Sequence, residues 1–164
     1  MNKHASRFIR LMNQSWKSRL FLFLKLPSAF FSGVRIVSIT TDRAVVSVPY
    51  KWFSQNPFKS TYFACLAMAG ELSTGLLAMM QCYKRKPSLS MLVVKMEAHY
   101  FKKATGLTFF TCDAGKDFER VVEECIRENS ALTYVATAVG RNEADEKVAE
   151  FFITWSFKVK NISS

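Results

Sequence analysis

Between Arg7 and Leu24 apolar residues recur at Phe8, Leu11, Met12, Trp16, Leu20 and Phe23, with basic residues between them. That spacing predicts one amphipathic helix, ended before Pro27, which has no N–H with which to continue it. The period then changes. "GVRIVSIT" and "RAVVSVPY" are rich in β-branched residues and separated by Thr41 and Asp42, which predicts a hairpin. "KWFSQNPFKS" is a loop built around Asn56-Pro57, and Ser60 or Thr61 stands where it can cap a long apolar helix running to about Gln81. After "KRKPS" alternation returns: Leu92, Val94, Met96, Ala98 and Tyr100 share one face of a strand, and Val93, Lys95, Glu97 and His99 the other. The first set is the expected core face. "TGLTFFTCDA" is the expected hairpin partner of that strand, and "DFERVVEECIRE" predicts a short helix with Phe118, Val121, Val122 and Cys125 on its inner side. "ALTYVATAVGR" and "VAEFFITWSFKV" read as two further strands around a polar turn at Asn142 to Lys147.

The order is helix, two strands, long helix, two strands, short helix, two strands. It predicts an α+β fold with a mostly antiparallel sheet, because no repeated strand–helix–strand unit supplies the crossovers of a parallel one. At 164 residues, 49% of them hydrophobic, the chain can bury a sizeable core. No linker-like run divides it. One domain is expected over 1–164, with an N-terminal amphipathic helix in 1–26 and the core in 33–160.

Charge changes this picture at one end. The net charge is +10, and Lys3, Arg7, Arg10, Lys17, Arg19, Lys25 and Arg35 all precede the first acid, Asp42. A basic face of this kind suits anionic lipid, nucleic acid or ligand phosphates, or is simply solvated. No zinc-finger spacing or aromatic RNA-binding signature accompanies it, so no nucleic-acid partner is expected. For the N-terminal helix, docking on the domain is the expected default and peripheral contact with a membrane the lesser alternative. Lys25 interrupts "LFLFLKLPSAFFSG" too early for a secretory leader, which points to a cytoplasmic protein. Cys65, Cys82, Cys112 and Cys125 stand far apart, and His4 and His99 are not spaced to join them, so free thiols and no metal site are expected. His99 reads as a surface or interface histidine, Asp113 and Asp117 as turn residues, and Ser73 as a lone serine without a triad.

One residue stands apart. Glu71 is the only charged residue between Lys59 and Lys84, at the centre of "YFACLAMAGELSTGLLAMM". A carboxylate buried without a partner costs several kcal/mol or gives up its charge. On a helix its neighbours three, four and seven positions away are Ala64, Ala67, Met68, Thr74, Gly75 and Ala78. All but Met68 are small. They leave either a shallow groove beside the carboxylate or a seat for a closely packed sheet, and the carboxylate favours a groove. Glu71 and the small residues also mark the segment as a core helix and not a membrane span.

This helix and its element order resemble the hotdog fold of acyl-CoA thioesterases and dehydratases, a long central helix wrapped by an antiparallel sheet. The phenylacetate-type thioesterase branch carries Asn, five residues, His-Gly-Gly, then Asp or Glu seven residues after the second Gly. In "NPFKSTYFACLAMAGE" Asn56 takes the Asn slot, Tyr62-Phe63-Ala64 the His-Gly-Gly slot and Glu71 the acid slot. The resemblance implies hydrolysis of an acyl thioester at a site between subunits of a homodimer or dimer of dimers. Glu71 would be general base or nucleophile, and the backbone N–H groups of Phe63 and Ala64 oxyanion donors. Thr74 would hold the water, Asn56 or Tyr62 would orient the carbonyl, and the acyl chain would lie over Ala67, Gly75 and Ala78. Coenzyme A enters as part of the substrate, with no other cofactor and no metal. The departure from His-Gly-Gly leaves a second reading open, a hotdog protein that binds acyl-CoA or lipid without catalysis.

Overall fold

The computed structural model describes residues 2–160. Its N-terminal segment corrects the single helix expected from Arg7 to Leu24: there are three, α1 (Ala5–Asn13), α2 (Ser15–Lys25) and α3 (Pro27–Phe31). The break falls at Gln14, which is extended at φ −81° and ψ 108°. A tertiary contact accompanies it. The Asn13 amide donates to the Ile39 carbonyl at 2.8 Å and accepts from the Ile39 N–H at 2.9 Å, taking the place of a neighbouring strand. Ala5, Phe8 and Met12 dock α1 on the domain, whereas α2 buries only Ser18 and Leu22.

β1 (Arg35–Ile39) and β2 (Ala44–Val48) form the expected hairpin. The long helix is α4 (Phe63–Cys82), followed by β3 (Leu89–Tyr100), β4 (Thr108–Cys112), α5 (Gly115–Glu128), β5 (Leu132–Asn142) and β6 (Lys147–Val159). The six strands form one sheet in the order β1-β2-β4-β5-β6-β3, every pairing antiparallel. β4 is therefore not the hairpin partner of β3. It lies between β2 and β5, while β3 pairs with β6 alone and forms one edge. Residues 101–107 are too long a connection for a tight turn, and the Phe101 N–H donates to Val148 O as the chain passes the end of β6.

The core face of β3 also needs correction. Leu89, Met91 and Val93 lie opposite Val159, Phe157 and Trp155, until a register irregularity between Val93 and Lys95 shifts the phase. Beyond it Met96, Ala98 and Tyr100 lie opposite Ile153, Phe151 and Ala149. After the bulge the expected set shares the face of the buried β6 residues, though Met96 and Tyr100 are themselves exposed; before it the set is wrong, and Leu92 and Val94 are exposed.

α4 packs against β2, β4, β5 and β6. It is apolar on nearly every side, as a helix enclosed by a sheet must be. By length and composition it could cross a membrane; here it is the core helix. Gly70 sets its approach: a Cβ there would stand 2.8 Å from Cδ2 of Phe151. The N-cap is Tyr62, not Ser60 or Thr61, since Ser60 donates its hydroxyl to Asn56 Oδ1 at 3.2 Å and the Thr61 N–H donates to Ala104 O at 2.7 Å. At the other end Asn2 donates to Met80 O and Tyr83 O, at 2.8 Å each, covering carbonyls that a helix end leaves open. α5 buries Phe118, Val121, Val122 and Cys125 as expected.

Candidate functional site

Glu71 is half-buried in the middle of α4, and its carboxylate has no hydrogen-bond or ion-pair partner among the described residues. Burial alone raises its pKa above the usual carboxylate range. It lines an apolar cavity of about 580 Å³ with Leu72, Gly75 and Met79 of α4, Phe21 and Lys25 of α2, Met91 and Val93 of β3, and Trp155 of β6. Gly75 makes the room: a Cβ there would lie 3.3 Å from both Glu71 Oε1 and Cζ2 of Trp155. A second cavity of about 270 Å³, bounded by residues 25–29 and Met68, reaches Glu71 from another side. The carboxylate therefore sits where a ligand and a water molecule can reach it, between α2 and β3. A desolvated carboxylate of raised pKa is the state a general base needs to work near neutral pH.

The other half of the motif lies elsewhere. Asn56, Tyr62 and Phe63 line a cavity of about 750 Å³ at the start of α4, with Leu66, Tyr100 and Phe101. The eight residues from Phe63 to Glu71 span about 12 Å of helix. Asn56 is committed to its loop, since its Oδ1 accepts from the N–H groups of Phe58 and Ser60 at 2.9 and 3.2 Å. Its Nδ2, the group that could reach a thioester carbonyl, lies 3.4 Å from Thr61 O. Tyr62 and Phe63 are exposed, with ring centroids 4.8 Å apart. The N–H groups of Phe63 and Ala64 have no acceptor among the described residues and stand at the positive end of the helix dipole.

Two further expected site residues lie outside the cavity. Thr74 does not face the groove: its buried hydroxyl donates to Glu71 O and accepts from Trp155 Nε1, both at 2.9 Å. Ala78 is fully buried, so the groove continues toward Met79 instead. Ala64 and Ala67 are half-buried between the two cavities and line neither. Ser73 is buried and donates to Gly70 O at 2.8 Å. The sequence reading missed Trp155, whose place on the inward alternation of β6 was visible, and Phe21 and Lys25, whose contact depends on where α2 docks.

The described residues bring no three of His, Cys, Asp and Glu together as a metal site. All four cysteines are free, and burial pushes the Cys82 and Cys112 thiols up to about 11. His99 is exposed against Phe152, Asp113 pairs with Arg43, and Asp117 accepts from the Tyr134 hydroxyl at 3.1 Å.

Residues 17–157 match a family described as Domain of unknown function (DUF4442). The chain belongs to this family. No curated protein matches it. Among solved structures, PA5026 of Pseudomonas aeruginosa, a protein of unknown function and probable thioesterase, is similar at 16% identity and a TM-score of 0.75, with 92% of this chain and 99% of that one covered. The thioesterase HI1161 of Haemophilus influenzae is similar at 9% identity and a TM-score of 0.63, covering 88% and 92%. PaaI of E. coli, from the phenylacetic acid degradation operon, is similar at 15% identity and a TM-score of 0.63, covering 88% and 94%. At such identities the likeness is one of fold. This DUF4442 member shares the fold of these structures, the hotdog fold, and α4 is its central helix.

Proposed function

We propose that the protein hydrolyses an acyl thioester, with acyl-CoA as the substrate class and Glu71 as general base or nucleophile. The observation that carries this reading is the unpartnered, desolvated carboxylate in an apolar cavity on the central helix of a hotdog fold. As base, Glu71 takes a proton from water, the hydroxide attacks the thioester carbonyl, and the thiolate leaves as the carbonyl re-forms. As nucleophile it attacks the carbonyl and expels the thiolate, leaving an anhydride that water then opens. Either route develops an oxyanion that needs N–H donors.

Within one chain the open N–H groups of Phe63 and Ala64 are about 12 Å of helix away from Glu71. A second copy that brings its own helix start to this carboxylate supplies them. The free edge of β3 supports such a homodimer, because its outer side has no strand partner and Leu92, Val94 and Met96 are exposed along it. In this arrangement the acyl chain lies in the cavity under Trp155 and Met79, and Lys103 beside the helix start is a candidate for the CoA phosphates.

A second reading has its own observation: exposed aromatic side chains, Tyr62 and Phe63, occupy the first two places of the His-Gly-Gly slot, which suits binding of acyl-CoA or lipid without turnover. The test is hydrolysis of an acyl-CoA panel by the parent and by Glu71→Gln. Turnover by the parent that the variant loses supports catalysis; saturable binding without turnover supports the second reading. Turnover equal in both removes Glu71 from the mechanism.

A further inference from the structure

The outward face of α2 runs against the usual pattern. Trp16, Leu20, Phe23 and Leu24 fall on one stripe of the helix and are 66%, 47%, 48% and 62% exposed. Lys17 borders the stripe on one side and Arg19 on the other. Their positions agree with their contacts: the Arg19 guanidinium carbon lies 4.0 Å from the Phe30 ring centroid and Lys17 Nζ 5.2 Å from that of Trp16. The apolar surface continues beyond the helix through ring contacts, Phe23 to Phe31 at 6.3 Å, Phe31 to Phe53 at 6.0 Å and Phe53 to Trp52 at 4.8 Å. Trp52 and Phe53 are 76% and 60% exposed.

We infer that this face, the outer stripe of α2 with the Phe31 and Trp52–Phe53 aromatics, seats the protein on the surface of an anionic lipid bilayer. Exposed aromatic and leucine side chains bordered by cations are what an interfacial helix presents to headgroups and the upper acyl region. Charge decides between this occupant and a second copy. No acid occurs before Asp42, so two such faces placed together would set Lys17 and Arg19 against like charges, whereas anionic lipid neutralises them. The opposite side of the same helix lines the Glu71 cavity through Phe21 and Lys25. The inference does not depend on catalysis.

The test is sedimentation of the full chain with vesicles of phosphatidylcholine alone and of equal parts phosphatidylcholine and phosphatidylglycerol, at low and high salt. The expected result is sedimentation with the anionic vesicles only, weakened by salt, with a blue shift in tryptophan emission from Trp16 and Trp52. Leu20→Glu/Leu24→Glu, exposed positions both, should keep the parent's melting temperature and bind roughly tenfold more weakly or worse. No sedimentation at low salt overturns the inference, and so does a double variant that binds like the parent. If the double variant instead turns a parent oligomer into monomers by light scattering without vesicles, a second copy covers this face and the lipid assignment is wrong.

Discussion

Replacing Thr74 with valine removes one oxygen from the core without opening a cavity, since the two side chains have nearly the same shape. That oxygen serves two bonds, donating to Glu71 O and accepting the Trp155 indole N–H, each at 2.9 Å. In Thr74→Val the Glu71 carbonyl keeps its place in the helix, but the indole, on a residue only 4% exposed, loses its acceptor. Leaving a buried donor unsatisfied costs about 1–3 kcal/mol. For a domain of this size each kcal/mol moves the melting temperature by about 2–4 °C, so a fall of about 2–12 °C is expected by circular dichroism. Thr74→Ser keeps both bonds and should lie closer to the parent. In a Trp155→Phe background the donor is already gone, and Thr74→Val should cost at least about 1 kcal/mol less. Equal losses in both backgrounds, or a Thr74→Val protein that melts with the parent, would refute the assignment of Thr74 to the indole.

Glu71→Gln tests the cost of the carboxylate through pH. Burial raises the folded-state pKa of Glu71, so the stability carried by its protonated form is complete below the unfolded pKa and is lost as pH rises through the folded value. The melting temperature of the Gln variant should therefore gain on that of the parent between acidic and neutral pH, and a gap that closes would contradict the burial of an unpartnered carboxylate. Gly70→Ala places a Cβ 2.8 Å from the Phe151 ring and should destabilise by about 1–3 kcal/mol in urea unfolding; an unchanged midpoint would show that α4 and β6 are not held so close. Light scattering at micromolar concentration should give a dimer or dimer of dimers. Monomer alone would argue against a site shared between subunits.

From β1 onward the period of the hydrophobic pattern determined the order of the main helices and strands, because burial on one face imposes a repeat of about 3.6 on a helix and two on a strand. It also determined that Glu71 stands alone in an apolar helix, since the absence of any other charge from Lys59 to Lys84 is a property of the chain. The identity of α4 as a core helix was legible for the same reason. What the pattern cannot carry is which neighbour an element meets. Leu20 and Trp16 repeat with the same spacing as Phe8 and Met12, yet only the latter pair is buried, because Asn13 binds the Ile39 backbone and α2 sets off in a new direction. The bulge in β3 is equally invisible, and it changed which residues face inward. Thr74 and Gly75 are adjacent in sequence, but the hydroxyl of Thr74 is taken by an indole eighty-one residues away, while Gly75 clears space for the carboxylate. Local periodicity sets which residues share a face; long-range packing alone decides what that face touches, and a site is made of what it touches.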